Sequence, residues 1–381
     1  MNTPFIYLDH NASTPIDSRV ADVMFPFLTN HYGNPSSINT QGIKAKEAIK
    51  KARKQVANLV GATPEEIIFT SGGTESNNYA IIGTALAHKT KGNHIITSSI
   101  EHPAVLEVCK HLENQGFKIT YVDVDKNGIV DINKIENAIS PETILISIMH
   151  ANNEIGSIQP IQEIGKIAKR HNVIFHTDAA QSIGKVTANV IDLNVDLLTI
   201  AGHKFYAPKG IGALYIKNGT SLHKLMHGAS HEFNKRPGTE NAMYIAGLGK
   251  ASEIAHQEFE INTTQMQIMR DYLLEQLNNL NLDAIVNGDL QTTLPNTLNI
   301  SFRNVDANAV IFSIRNEIAI SAGSACHSGA TNVSNILKST LSDYEYAQGT
   351  FRFSVGKNTT KQEIDRAILI LSKAFTKHHT V

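Results

Sequence analysis

The chain has 381 residues, 41% of them hydrophobic and 18% charged, with a formal net charge of −1. That length is ample for one large domain or two ordinary ones, and the composition excludes a disordered chain. A charge so near zero excludes a general electrostatic draw to nucleic acid or to an anionic membrane, although a local basic site remains open.

Seventeen histidines stand against no tryptophan, but they show no metal-ligand spacing such as HExxH, so no metal is expected. The opening "MNTPFIYLDHN" has no basic-then-apolar pattern, and no apolar run approaches the length of a membrane span. Cys109 and Cys326 are the only cysteines, which fits a reducing cytoplasm better than an oxidised exterior.

From Gln41 to Val60, apolar residues at Ala45, Ala48, Ile49, Ala52, Val56 and Leu59 keep helical spacing, and Gly61 is placed to end the helix. Seven short apolar runs follow: "EIIFT", "HIITS", "KITYVDV", "TILISIMH", "VIFHTDA", "LLTIAG" and "IGALYI". Continuous runs without polar alternation predict strands covered on both faces, hence an α/β fold with a mostly parallel sheet. After Gly249 the pattern changes. Met266, Met269, Leu273, Leu277 and Leu280 mark a long helix that could bridge two domains, and "TLNISF" and "TFRFSVG" predict short strands. Thr360 and Glu363 have the spacing of a capping box for a last helix through Ile364, Ala367, Ile368, Leu371 and Phe375. The expected division is a large domain over 15–255 and a smaller α+β domain from 1–14 and 256–381.

In open α/β sheets ligands gather at the carboxyl ends of strands, and four polar features of this chain fall there. "SGGTESNN" carries Gly73 and Thr74 into a helix start, where free backbone N–H groups suit a phosphate. An ordinary strand-to-helix turn would read the same way. Glu101-His102 follows the next strand. Asp178 ends "VIFHTDAAQS", with Gln181 three residues on, and a carboxylate there needs a partner. In "LLTIAGHKFYAPKG", His203 and Lys204 leave a buried strand end, where a lysine can lose its proton and act as a nucleophile. The 26 residues between Asp178 and Lys204 suffice to bring them to neighbouring strand ends. Lysine for the aldehyde, aspartate for the pyridine nitrogen and a helix start for the phosphate are together what pyridoxal 5'-phosphate requires.

The motifs "YLDHNASTP", "GNPSS", "SGGTESNN", "EHPAV", "IMHANNEIG", "HTDAAQSIGK", "GHKFYAPKGIGALY", "RPGTEN", "SAGSACHS" and "FRFSVG" occur in one order along nearly the whole chain. In them the chain resembles the cysteine desulfurases of the aminotransferase class V group. The resemblance implies the type I fold of pyridoxal-phosphate enzymes, with a seven-stranded sheet. It implies a homodimer in which Lys204 holds the cofactor covalently and moves protons. Asp178 would pair with the pyridine nitrogen, Gln181 with the ring oxygen, and His102 would stack on the ring. Gly73, Thr74 and His203 would hold the phosphate, with Thr239 reaching it from the second subunit. Arg352, helped by Asn34 and Asn153, would clamp the carboxylate of L-cysteine. Cys326 would take the sulfur as a persulfide while L-alanine leaves, its small neighbours letting the segment move. His327 is a candidate for favouring the thiolate. Cys109, on the apolar face of "AVLEVCKHL", reads as a core residue.

The chain departs from the family pattern in three places. Ala201 stands where many relatives have a phosphate-binding serine, Ile38 and Asn39 follow "GNPSS" where a histidine is common, and the chain stops soon after its last helix. The sulfur acceptor, such as an iron–sulfur scaffold or a tRNA-thiolation protein, is therefore open. Selenocysteine lyase shares the fold and cofactor, with "ACHS" and "RPGTEN" somewhat like that enzyme, and is the rival enzyme. A non-catalytic sulfur acceptor is the rival of another class, disfavoured by the full set of Lys204, Asp178, His102, Arg352 and Cys326.

Overall fold

A computed structural model describes residues 4–325, 332–340 and 344–378, so Cys326 and His327 lie outside the described residues. Each of the seven apolar runs forms a strand of one sheet. They are β1 (Ile67–Thr70), β2 (His94–Ser98), β3 (Lys118–Val122), β4 (Thr143–Ser147), β5 (Ile174–Asp178), β6 (Leu197–Ala201) and β7 (Gly212–Ile216). Their spatial order is β1-β7-β6-β5-β4-β2-β3. The sheet is mostly parallel, as the runs imply. Only β7 runs antiparallel to its neighbours β1 and β6.

Helices cover the sheet. In α1 (Thr40–Val60) the Asn39 side chain accepts the Gly42 N–H at 3.0 Å, and Gly61 closes the far end at φ +70°. Asn39 is thus a helix cap, which its side-chain oxygen suits. Helix α2 (Gly73–Ala87) follows β1 through Gly72, whose φ of +149° is one that few residues other than glycine adopt, and no side chain caps this end. Helix α3 (Pro103–Glu113) follows β2 and buries Cys109 in an apolar cluster with Val105 and Leu112. Burial pushes the Cys109 thiol up to about 12, as befits an inert core residue.

A second, antiparallel sheet follows, from β8 (Ala284–Val286), β9 (Thr297–Phe302), β10 (Ser321–Ala322) and β11 (Thr350–Ser354), in the order β10-β11-β9-β8. Its core holds Phe302, Phe351, Phe353 and Phe375, together with Ile6 and Leu8 from the chain start. Helix α4 (Phe259–Asn278) buries Met266, Met269, Leu273 and Leu277 there, and Leu280 packs just past its end. Helix α5 (Lys361–His378) opens with the expected box: Thr360 N–H donates to Glu363 at 2.8 Å and Glu363 N–H to Thr360 Oγ1 at 3.2 Å. No helix among the described residues is long and apolar enough to cross a membrane.

Gly212 shapes the edge of the site. A Cβ there would lie 2.4 Å from the Ile200 carbonyl oxygen and 2.8 Å from Gly72 Cα, so β7 can sit against the α2 turn only without a side chain. Gly212→Ala should therefore lower stability by about 1–3 kcal/mol, read from the urea midpoint; an unchanged midpoint would contradict the tight approach.

Candidate active site

The paired ends of β5 and β6 define the site. Asp178 is the last residue of β5 and lies opposite Thr199 of β6, while Lys204 ends the short turn Gly202–Lys204 that continues β6. Both line a cavity of about 310 Å³ with Gly73, Thr74, Asn77, His102, Asn153, Gln181, Ala201 and His203. Thus eight of the residues singled out in the sequence meet at one place: Gly73, Thr74, His102, Asn153, Asp178, Gln181, His203 and Lys204.

Each is held by specific partners. The Lys204 amine donates to the backbone oxygens of Asn11 at 2.5 Å and Ala12 at 3.1 Å. Desolvation brings its pKa down to about 8, with Arg352 adding and Asp178 and Asp9 opposing. Asp178 is buried; its carboxylate accepts from the Asn77 side chain at 2.7 Å and the Ala180 N–H at 2.9 Å. His102 caps α3, its Nδ1 accepting the Ala104 N–H at 3.1 Å. That bond places the proton of the neutral ring on Nε2. Burial lowers the His102 pKa, opposed by Asp178. Desolvation and the neighbouring Lys204 hold His203 at about 4, so it meets a ligand as a neutral ring.

Arg352 stands in β11 beside the cavity. It donates to the Asn153 carbonyl at 3.1 Å, to Asp9 at 2.8 Å and to Ser321 Oγ at 2.9 Å, while its buried Nε has no partner among the described residues. Asn153 therefore serves Arg352 through its backbone. Besides Arg352, two expected residues among those described are not among those lining the cavity. Asn34 is exposed and its side chain accepts from Ser36 N–H at 2.9 Å, and Thr239 borders a separate pocket with Ser71 and Arg236.

The donor set fits pyridoxal phosphate. An amine brought toward its neutral form faces a buried carboxylate whose hydrogen bonds are already aligned, across a cavity that ends at the uncapped N-terminus of α2. Backbone N–H groups there, with Thr74, match a phosphate. Ala201 supplies no hydroxyl; its Cβ packs 3.3 Å from where a Cβ on Gly73 would stand.

Comparison with known proteins agrees. The profile of "Aminotransferase class-V" matches residues 6–367. The chain belongs to this family. It is 47% identical over 377 residues to "Cysteine desulfurase IscS" of Dictyoglomus turgidum, covering 99% of this chain and 96% of that one. It is 45% identical over 373 residues to the protein of the same name from Methanosarcina thermophila, covering 98% and 92%. Among solved structures, a "NifS-like protein" superposes with a TM-score of 0.92 at 36% identity, over 98% of this chain and all (100%) of that one. "SspA in complex with cysteine" gives 0.82 at 38% identity, over 93% and 100%. The class V fold expected from the motifs is thereby established.

Sequence reading missed the supports of the site: Asn77 under Asp178, the Asn11 carbonyl under Lys204, and Asp9 beside Arg352. All three lie inside the motifs "SGGTESNN" and "YLDHNASTP", but nothing local says which long-range partner each meets.

The depressed Lys204 pKa has a thermodynamic consequence. Between about 8 and the ordinary 10.5 the unfolded chain holds a proton that the folded chain has lost. Stability of the cofactor-free chain therefore rises with pH across that window. Lys204→Met should be more stable than wild type at neutral pH, and the gap should close as pH climbs toward 10.5. Urea unfolding at a series of pH values checks this, and a gap independent of pH would contradict it.

Proposed function

We propose that this chain is a pyridoxal 5'-phosphate-dependent cysteine desulfurase. It converts L-cysteine to L-alanine and passes the sulfur, as a persulfide on Cys326, to an acceptor protein. The observation that carries this reading is the juxtaposition of Lys204 and Asp178 at adjacent strand ends over one cavity. The names of its relatives and the cysteine-bound structure support the substrate.

When bound, the cofactor supplies an aldehyde for the substrate amine and a ring that withdraws electrons from the substrate. Lys204, largely neutral not far above physiological pH, provides the amine that holds it and the base that moves the substrate α-proton. Asp178 keeps a proton on the ring nitrogen, its two oxygens aimed by Asn77 and Ala180. Gln181 donates to the ring oxygen, and His102 covers the ring with Nε2 as its proton-bearing atom. Gly73, Thr74 and His203 hold the phosphate. Arg352 takes the substrate carboxylate in its fork, held by the Asn153 carbonyl and Asp9, with Asn34 assisting at the rim.

Cys326 Sγ, as the thiolate, attacks the substrate sulfur. An S–S bond forms, the C–S bond breaks, and its electron pair stays at the β-carbon, which takes a proton to become the methyl group of alanine. Thr239, absent from its own chain's cavity lining, completes the phosphate site of a second copy. Exposed Phe25, Leu28, Tyr32 and Ile38 in one stretch of chain favour such a homodimer. The two largest apolar clusters among the described residues, one from Val20 to Ala255 and the other from Ile6, Leu8 and Met266 onward, support the division into 15–255 and 1–14 with 256–381. Its two cysteines favour a cytoplasmic location, and an iron–sulfur scaffold or tRNA-thiolation protein is the acceptor class.

Incubation with L-cysteine should add about 32 Da, one sulfur, to the wild type and nothing to Cys326→Ala; an adduct on both, or on neither, would sink the reading. Arg352→Gln should raise KM for L-cysteine by at least about tenfold, the scale of a lost charged hydrogen bond. A KM that did not move would remove Arg352 from the substrate site.

A further inference from the structure

Lys185 has no part in the chemistry above, yet it is only 5% exposed and is not among the residues lining the 310 Å³ cavity of Lys204 and Asp178. A buried lysine with no carboxylate partner is costly, and its burial, with Lys204 and Arg352 nearby, brings it to about 7. Among the described residues its Nζ has one hydrogen-bond partner, Gln181 Oε1 at 3.1 Å. On the other side of the same amide, Gln181 Nε2 donates to the Asn11 carbonyl at 2.9 Å. That carbonyl also receives Lys204 Nζ.

We propose that Lys185 is a positioning residue that fixes the amide of Gln181 so that its NH2 group, not its oxygen, is offered to the cofactor. The inference rests on the reading above, in which Gln181 faces the ring oxygen. Inverting the amide would set its oxygen against the Asn11 carbonyl and its NH2 against the Lys185 ammonium, two repulsive contacts in place of two hydrogen bonds. With one N–H given to Asn11, the second is left for the cavity that Gln181 lines. The ammonium form has no acceptor and so admits only the amide oxygen, whereas the neutral amine also carries a lone pair, so above about pH 7 the Asn11 carbonyl alone sets the orientation. Because Asn11 O accepts from Gln181 and Lys204 alike, the amide and the cofactor-holding amine are fixed in one network.

The test uses the full chain loaded with pyridoxal phosphate and reads the pH midpoint of its visible absorption band, alongside the unfolding temperature. Lys185→Met should shift that midpoint by about half a pH unit or more, and Lys185→Gln, which keeps an N–H donor, should restore at least part of it. In a Gln181→Leu background, Lys185→Met should shift it no further, because a residue acting through Gln181 has nothing left to orient. A merely structural lysine would move the unfolding temperature but leave the midpoint alone, or shift it equally in both backgrounds, and either result overturns the proposal. Should Lys185→Met alone not fold, the double variant decides. It should be at least as stable as Gln181→Leu, since both partners are then removed together, and lower stability would refute the pairing. If the wild type shows no band that Lys204→Ala abolishes, the cofactor reading fails first and this inference with it. If the band is present and only the Lys185 variants behave otherwise, the inference fails alone.

Discussion

The structure turns on keeping one amine out of water. Lys204 follows a strand whose five residues are all buried, and its nitrogen is anchored by two backbone carbonyls and, among the described residues, by no carboxylate. Carbonyls orient an ammonium without repaying its full desolvation, so the proton is held loosely. Asp178 stands one strand away, close enough to oppose the shift without forming an ion pair that would cancel it. Lys204 is thereby disposed to be a nucleophile before any ligand arrives.

The same economy recurs around it. Arg352 is shared between Asp9, Ser321 and the Asn153 carbonyl, so its guanidinium is held in place from several sides while Nε has no partner among the described residues. His102 has one nitrogen fixed as acceptor by the helix it caps, which decides the tautomer. Lys204, Asp178 and His102 are therefore oriented by backbone groups or a neutral amide, and only Arg352 is held by an opposite charge, that of Asp9.

Much of this was legible in the sequence because it is periodic or local. Seven apolar runs became seven strands, Gly61 ended its helix, and Thr360 with Glu363 formed their box. Strand direction was not legible for β7. A continuous apolar run reports burial on both faces and says nothing of which way the chain travels. Asn39 looked like a departure at the site rim and is a helix cap, since the local role of an asparagine oxygen outweighed its distance-free motif context. The partners Asn11–Lys204, Asn77–Asp178 and Asp9–Arg352 were hidden for a different reason. They span from about a hundred to over three hundred residues, and a backbone carbonyl carries no side-chain signature at all.

The segment from Ile6 to Thr14 joins the two cores. Ile6 and Tyr7 pair with Ile318 and Ala319, Asn11 N–H donates to Ser354 Oγ at 2.9 Å, and Thr14 N–H donates to the His203 carbonyl at 2.9 Å. Residues 6–14 thus settle only against partners that lie about two hundred to over three hundred positions further along the chain. The Asn11 and Ala12 carbonyls that grip Lys204 are therefore set by docking of this segment on β11, a contact of high sequence separation. Competence for the cofactor is consequently tied to that long-range closure and not to the larger core alone.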